Sequence, residues 1–230
     1  MGGLVGISGD GRVLIGSYSE TPFRWAEETE QFELLEGMQA VSDVSFDGSV
    51  IVGGAYRWTE GLGAEWFGPE PTDSFSYSAD AVSADGTVIA GSMTVNGQRE
   101  AFRWTEAGGF QELVDLPGDA FDSLVSAMSA DGSTIVGYRA TNAGTEPFLW
   151  NAAIGTQPLG NYLESIGADL AGYSLESVTG VSGDGSVLVG SGRDSQGREA
   201  GWLARIGIPE PTTACLLAIA LLPCVSRRRF

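Results

Sequence analysis

The sequence predicts an all-β repeat protein of about five four-stranded antiparallel units, and three observations carry that prediction. The first is a nine-residue unit that recurs five times: Ser8 to Gly16, Ser45 to Gly53, Ser83 to Gly91, Ser129 to Gly137 and Ser182 to Gly190. In every copy Ser stands two before Asp, Gly follows the Asp, an aliphatic residue lies four after it and a second Gly six after it. The second is the pair of short apolar, mostly β-branched runs flanking each Asp-Gly, which fit buried strands. The third is an aromatic pair at period two, Phe23/Trp25, Tyr56/Trp58, Phe102/Trp104 and Phe148/Trp150, with Trp202 alone in the fifth copy. Residues two apart on a strand share a face, so each pair marks a third strand and points one way while Arg24, Arg57, Arg103 or Leu149 points the other. An alternating run such as Phe110-Gln111-Glu112-Leu113 supplies a fourth strand. Successive Asp residues are 37, 38, 46 and 53 positions apart, close to the ~40–50 of propeller blades, so a propeller-like arrangement is expected.

Asp-Gly between two apolar runs predicts a type I′ hairpin turn, which needs positive φ at both central residues. Asp10, Asp47, Asp85, Asp131 and Asp184 are therefore read as turn residues, with the preceding Ser bonding to turn backbone. Calcium is the competing reading for those Asp, but the neighbouring positions lack further carboxylates. Trp25, Trp58, Trp104, Trp150 and Trp202 are read as packing between adjacent units. The repeat boundaries fall at about 5–38, 39–79, 80–119, 120–177 and 178–207, within a body spanning 1–207.

Along the chain, residues 26–38 are acidic with Phe32, Leu34 and Leu35, and comparison with the other repeats favours a turn plus a fourth strand over a helix. Trp66 lies outside the repeated aromatic position, beside Gly68-Pro69-Glu70-Pro71, and is read as a fourth-strand core residue in preference to a sugar-stacking platform. Asn96-Gly97 supplies a further hairpin turn. The extra length of the fourth repeat, Asn161 to Ser177, predicts one short helix capped by Asn161, with Leu163 and Ile166 on one face and Gly167 ending it. The fifth repeat stops one strand early.

Composition excludes several chemistries. The chain has 30 acids against 12 basic residues, all of them Arg, for a net charge of −18. Such a surface repels phosphate backbones, so nucleic acid is not an expected partner. There is no His, which removes the commonest general base and the usual zinc ligand. Cys215 and Cys224 both lie in the apolar tail, so the body has no disulfide framework. No cofactor, metal or catalytic residue is assigned.

The last segment, 208–230, has three parts: Pro209-Glu210-Pro211, an uncharged stretch over 212–225, and Arg227-Arg228-Arg229. As a transmembrane helix the 14 uncharged residues would span about 21 Å, short of the roughly 30 Å hydrocarbon core. The arginines after it would place the C-terminus in the cytoplasm and the body outside.

This order of parts resembles the PEP-CTERM sorting signal. The resemblance implies export from a Gram-negative bacterium, recognition by an exosortase-type membrane protease, removal of the tail, and association with exopolysaccharide or biofilm. The body is similar to the HAF-type extracellular repeat family, through Ala101-Phe102-Arg103-Trp104 and the Ser-x-Asp-Gly hairpin; that resemblance implies secretion and a propeller-like fold, and no enzymatic activity. Both families carry a leader, and Met1-Gly2-Gly3-Leu4 has no basic or apolar one. Upstream codons are therefore expected to encode a signal peptide and another strand.

The functional expectation is a non-enzymatic cell-surface or matrix protein, anchored transiently in the cytoplasmic membrane, whose propeller binds an exopolysaccharide, a surface glycan or another protein. A polysaccharide-degrading enzyme using paired carboxylates at the axis is the first alternative. A structural repeat protein without a ligand is the second.

Overall fold

A computed structural model describes residues 2–113, 122–142, 144–170, 172–206 and 220–223. It contains five four-stranded antiparallel sheets, each a meander in chain order. Blade one is β1 (Gly3–Ile7), β2 (Val13–Tyr18), β3 (Thr21–Ala26) and β4 (Gln31–Leu34). Blade two is β5 (Asp43–Val44), β6 (Val50–Gly53), β7 (Tyr56–Thr59) and β8 (Gly63–Trp66). Blade three is β9 (Phe75–Val82), β10 (Val88–Val95), β11 (Gln98–Thr105) and β12 (Gly109–Glu112). Blade four is β13 (Ser123–Met128), β14 (Thr134–Thr141), β15 (Gly144–Asn151) and β16 (Gly155–Pro158), followed by α1 (Leu159–Ser165). Blade five is β17 (Ser174–Val181), β18 (Val187–Arg193), β19 (Glu199–Arg205) and β20 (Ala220–Pro223). Strands β9 and β17 begin several residues before the expected repeat boundaries at 80 and 178.

The first strands pack one beside the next, β1 on β5, β5 on β9, β9 on β13 and β13 on β17, so they form the inner edge of a radial array. Each sheet has a leading face toward the blade before it and a trailing face toward the blade after it. The repeated hydrophobic positions divide between them. At the first joint Val13 and Ile15 on the trailing face of blade one meet Val44, Ile51 and Trp58 on the leading face of blade two. Val50 and Val52 meet Val82, Ile89 and Trp104 in the same way. Ala90 meets Ile135 and Trp150, and Val136 meets Leu188 and Trp202. Of the five repeat Trp expected between units, Trp58, Trp104, Trp150 and Trp202 are buried between blades, whereas Trp25, on the leading face of blade one, is only half-buried because no described blade packs on that face.

The second Gly of the unit is explained by the inner strand. A Cβ on Gly16, Gly53, Gly91, Gly137 or Gly190 would collide with a backbone carbonyl of the neighbouring inner segment, such as that of Ser78 or Leu124. The same strands carry β-bulges near these glycines, at Val5, Asp80, Ser126 and Thr179. Such bulges bend a strand and re-aim its side chains.

Several expectations are corrected. The Asp-Gly loop is not type I′, because φ is positive at Gly11, Gly48, Gly86, Gly132 and Gly185 but at none of the five Asp. Gly11 N–H donates to Ser8 C=O at 2.9 Å, an i to i+3 turn with Ser first and Gly last. The type I′ expectation does hold at Asn96-Gly97, where φ is +51° and +85°. Trp202 pairs with Gly190 and Ala204 with Leu188, whereas Trp104 pairs with Ile89 and Phe102 with Gly91. Trp202 thus occupies the position of the Phe, not the Trp, of the repeated pair. Asn161 does not cap α1; the helix starts at Leu159 after Pro158, with Leu163 buried and Gly167 beyond its end at φ +94°. Fourth strands and not helix follow residues 26–30, as favoured.

In the tail, Ala220–Pro223 form a strand against β19, where a helix over 212–225 was expected. They supply the fourth strand that the fifth repeat lacks. The outer edge of β19 offers unpaired backbone groups to an apolar run, and Pro223 sits at the strand end on an edge, where its missing N–H costs no ladder bond. Pro209, Glu210, Pro211, Cys215, Cys224, Arg227, Arg228 and Arg229 lie outside the described residues. Among the described residues no helix is long and apolar enough to cross a membrane.

Candidate functional site

The five Ser-x-Asp-Gly loops lie together at one end of the array, and their side chains are committed to the loop. Each Ser hydroxyl donates to Oδ1 of the Asp two residues on, at 2.5–2.9 Å. The same Ser Oγ accepts the backbone N–H five residues on, at 2.9–3.0 Å. Oδ1 also accepts the N–H two residues after the Asp. The Ser hydroxyl holds the Asp10, Asp85, Asp131 and Asp184 carboxyls below the usual range, Asp184 at about 2. At Asp47 the leading cause is the Ser49 backbone N–H. Among the described residues no three acidic side chains gather in a way that would hold a metal ion.

A backbone ladder joins consecutive loops. Phe46 N–H donates to Ala84 C=O at 3.0 Å, Ala84 N–H to Ala130 C=O at 2.7 Å, and Ala130 N–H to Gly183 C=O at 2.9 Å. The first joint is made through Asp10 N–H to Phe46 C=O, 3.0 Å.

Clefts open where this end meets the joints. Arg24 points across the first joint and lies over the Trp58 ring at 4.9 Å, and Arg103 lies over Trp150 at 5.7 Å. Arg24 is buried, with Glu33 at 3.7 Å and Glu60 at 3.5 Å, and its Nε has no hydrogen-bond partner. Arg57 Nε is unpartnered in the same way. The cleft over Arg24 measures about 690 Å³, and its ionisable lining comprises Asp10, Glu28, Glu33, Asp47 and Glu60 against Arg12 and Arg24. A smaller cleft of about 360 Å³ sits at the third joint, over Arg103, Asp131 and Trp150. The sequence showed that the Arg of the aromatic strand faces away from its own aromatic pair. It did not show that this Arg roofs the Trp of the next blade, because nothing in one repeat states which blade its reverse face meets.

At the inner edge two carboxyls are perturbed. Asp80 occupies the β9 bulge; it keeps solvent access, yet surrounding protein pushes its carboxyl up to about 6, against the pull of Arg99. Asp43 is also raised by burial, and it accepts the N–H groups of Val44 and Val82, each at 2.9 Å. Sequence reading missed both, since neither stands at a repeated position. Trp66 is corrected: it is 41% exposed on β8, tilted against Tyr56, while its neighbour Phe67 fills the core beside Trp104.

No protein-family model and no curated protein matches the chain. Among solved structures, one from Agrobacterium tumefaciens assigned as a TolB matches at a TM-score of 0.58 and 12% identity, over 90% of this chain and 77% of that one. TolB from Acinetobacter baumannii matches at 0.54 and 14%, over 86% of this chain and 49% of that one. Oligogalacturonate lyase from Vibrio parahaemolyticus matches at 0.58 and 12%, over 86% and 60%. The chain thus spans about half to three quarters of these proteins' lengths. At such identities the likeness is one of fold, and the fold of this chain is a five-bladed array of the β-propeller type.

Proposed function

We propose that this is an exported, non-enzymatic surface or matrix protein that holds a glycan in its interblade clefts and is sorted through its C-terminal segment by an exosortase-type protease. The observation that supports glycan binding is the cleft over Arg24. Its exposed carboxylates, Glu60 among them, accept hydrogen bonds from hydroxyls. Five carboxylates against two guanidiniums favour a neutral or amino-bearing sugar over a uronate polymer. Exposed Trp66 offers an aromatic face of the kind on which a sugar ring stacks.

A glycan array probed with the full chain tests this reading. Neutral or amino-sugar glycans should be retained, and Glu60→Ala should weaken retention about tenfold, as loss of one charged hydrogen bond does. Retention of no glycan would leave the structural repeat without a ligand as the reading. A second reading, carboxylate-dependent polysaccharide cleavage at the axis, rests on the raised carboxyl of Asp80. It requires that the chain release shortened products from a polysaccharide and that Asp80→Asn abolish the release.

A further inference from the structure

We propose that the chain binds a second copy of itself head to tail, through the same joint that it builds four times internally. Among the described residues the array has four packed joints and leaves the leading face of blade one and the trailing face of blade five without a blade upon them. Among the described residues no core cluster links blade five to blade one.

The leading face of blade one carries a cross-strand row Ile7, Leu14, Trp25 and Phe32, one residue from each strand. The corresponding rows Val44-Ile51-Trp58-Ala64 and Val82-Ile89-Trp104-Phe110 are packed inside joints. In blade one this row is open: Ile7 is 56% and Phe32 52% exposed, and Trp25 is the one repeat Trp left half-covered. Leu4 and Leu34 extend the same face and are exposed as well. At the other end, Val187 and Val189 on the trailing face of blade five stand where Val50 and Val52 or Val88 and Ala90 are buried. Val187 is half-buried and Val189 is 38% exposed.

Two finer features show that these ends match each other and not themselves. At each internal joint the turn Gly of one blade sits on the first residue of the second strand of the preceding blade: Gly48 on Val13, Gly86 on Val50, Gly132 on Val88 and Gly185 on Thr134. Gly11 has nothing near its Cβ position, and Val187 has no such Gly upon it. The backbone ladder runs in one direction, each blade donating to the next. Its last donor, Gly183 N–H, and its first acceptor, Gly9 C=O, have no partners among the described residues. A second copy placing blade one on blade five supplies the Gly, the acceptor and the apolar row together. An interface of this kind is heterologous and joins unlike faces.

Sedimentation velocity of the full chain and of two exposed-site variants, Ile7→Glu and Val189→Glu, tests the proposal. The unmodified chain should self-associate with rising concentration. Each variant alone should sediment as a monomer, weakened roughly 100-fold or more by a charge buried without a partner. A one-to-one mixture should restore a complex of one copy of each, since one variant keeps its tail and the other its head. Leu4→Glu replaces Ile7→Glu if near-ultraviolet circular dichroism shows the latter unfolded. Three results would each overturn the proposal: a monomeric unmodified chain at every concentration, one variant that still associates alone, or a mixture that stays monomeric.

Discussion

At the scale of single residues the repeated Ser carries more than the repeated Asp. Ser83 is fully buried; its hydroxyl donates to Asp85 and accepts from Val88 N–H. Ser83→Ala leaves that buried N–H unpaired and should cost about 1–3 kcal/mol in urea unfolding. Ser182→Ala, in the more exposed fifth loop, should cost less. That the Ser bonds to turn backbone was legible from its position two before the Asp. The turn type was not, because the Ser side chain takes the place of a backbone partner and so admits a longer loop than Asp-Gly alone would make. The carboxyls also set the response to pH. Asp184 is depressed to about 2, below an unfolded value of about 3.9. Its contribution is complete above that unfolded value and is lost as pH falls toward 2, and the other four loop Asp act in the same direction. Asp80 has the opposite sign. With a folded value of about 6, stability falls as pH rises from about 4 to 6. Asp80→Asn should flatten a plot of stability against pH across that window, and an unchanged slope would show that Asp80 is not the group responsible.

At the scale of elements, the aromatic strands and the close approach of Gly to the inner strand account for blade packing. Trp104→Ala opens a cavity inside a joint and should cost about 3–5 kcal/mol. Trp25→Ala removes the same side chain from a face that is only half-covered among the described residues and should cost much less, about 1 kcal/mol. Equal losses in urea titrations would contradict that difference in burial. Gly137→Ala drives a methyl group into the Leu124 carbonyl, which cannot turn aside, and should destabilise by about 1–3 kcal/mol. The strands were legible from Val50-Ile51-Val52 and its counterparts, whose runs lie in β2, β6, β10, β14 and β18. The shifted role of Trp202 was not, because the hairpin before it, Asp194 to Arg198, differs in length from the others. Spacing counted from the Asp therefore does not carry register there. β20 was hidden for another reason: uncharged residues over 212–225 suit a membrane helix by composition, while only the open edge of β19 reveals the competing strand.

At the scale of the whole molecule, radial order follows from what one repeat cannot bury alone. Each blade has two apolar faces, and only a neighbour on both sides covers them. The tail adds a second requirement, since residues 220–223 serve blade five in this structure and belong to the segment proposed for sorting. Mass spectrometry of protein from its native host should find most chains lacking Arg227, Arg228 and Arg229; intact termini on most molecules would contradict the sorting proposal. Consecutive blades are joined around an axis by the loop ladder. Amide hydrogen exchange, resolved residue by residue, on the Val189→Glu chain probes that ladder with the exposed trailing face of blade five blocked. The ladder predicts slow exchange at Phe46, Ala84 and Ala130, whose N–H groups are bonded across joints, and fast exchange at Gly183, whose N–H is not. Exchange at Phe46, Ala84 and Ala130 as fast as at Gly183 would contradict it.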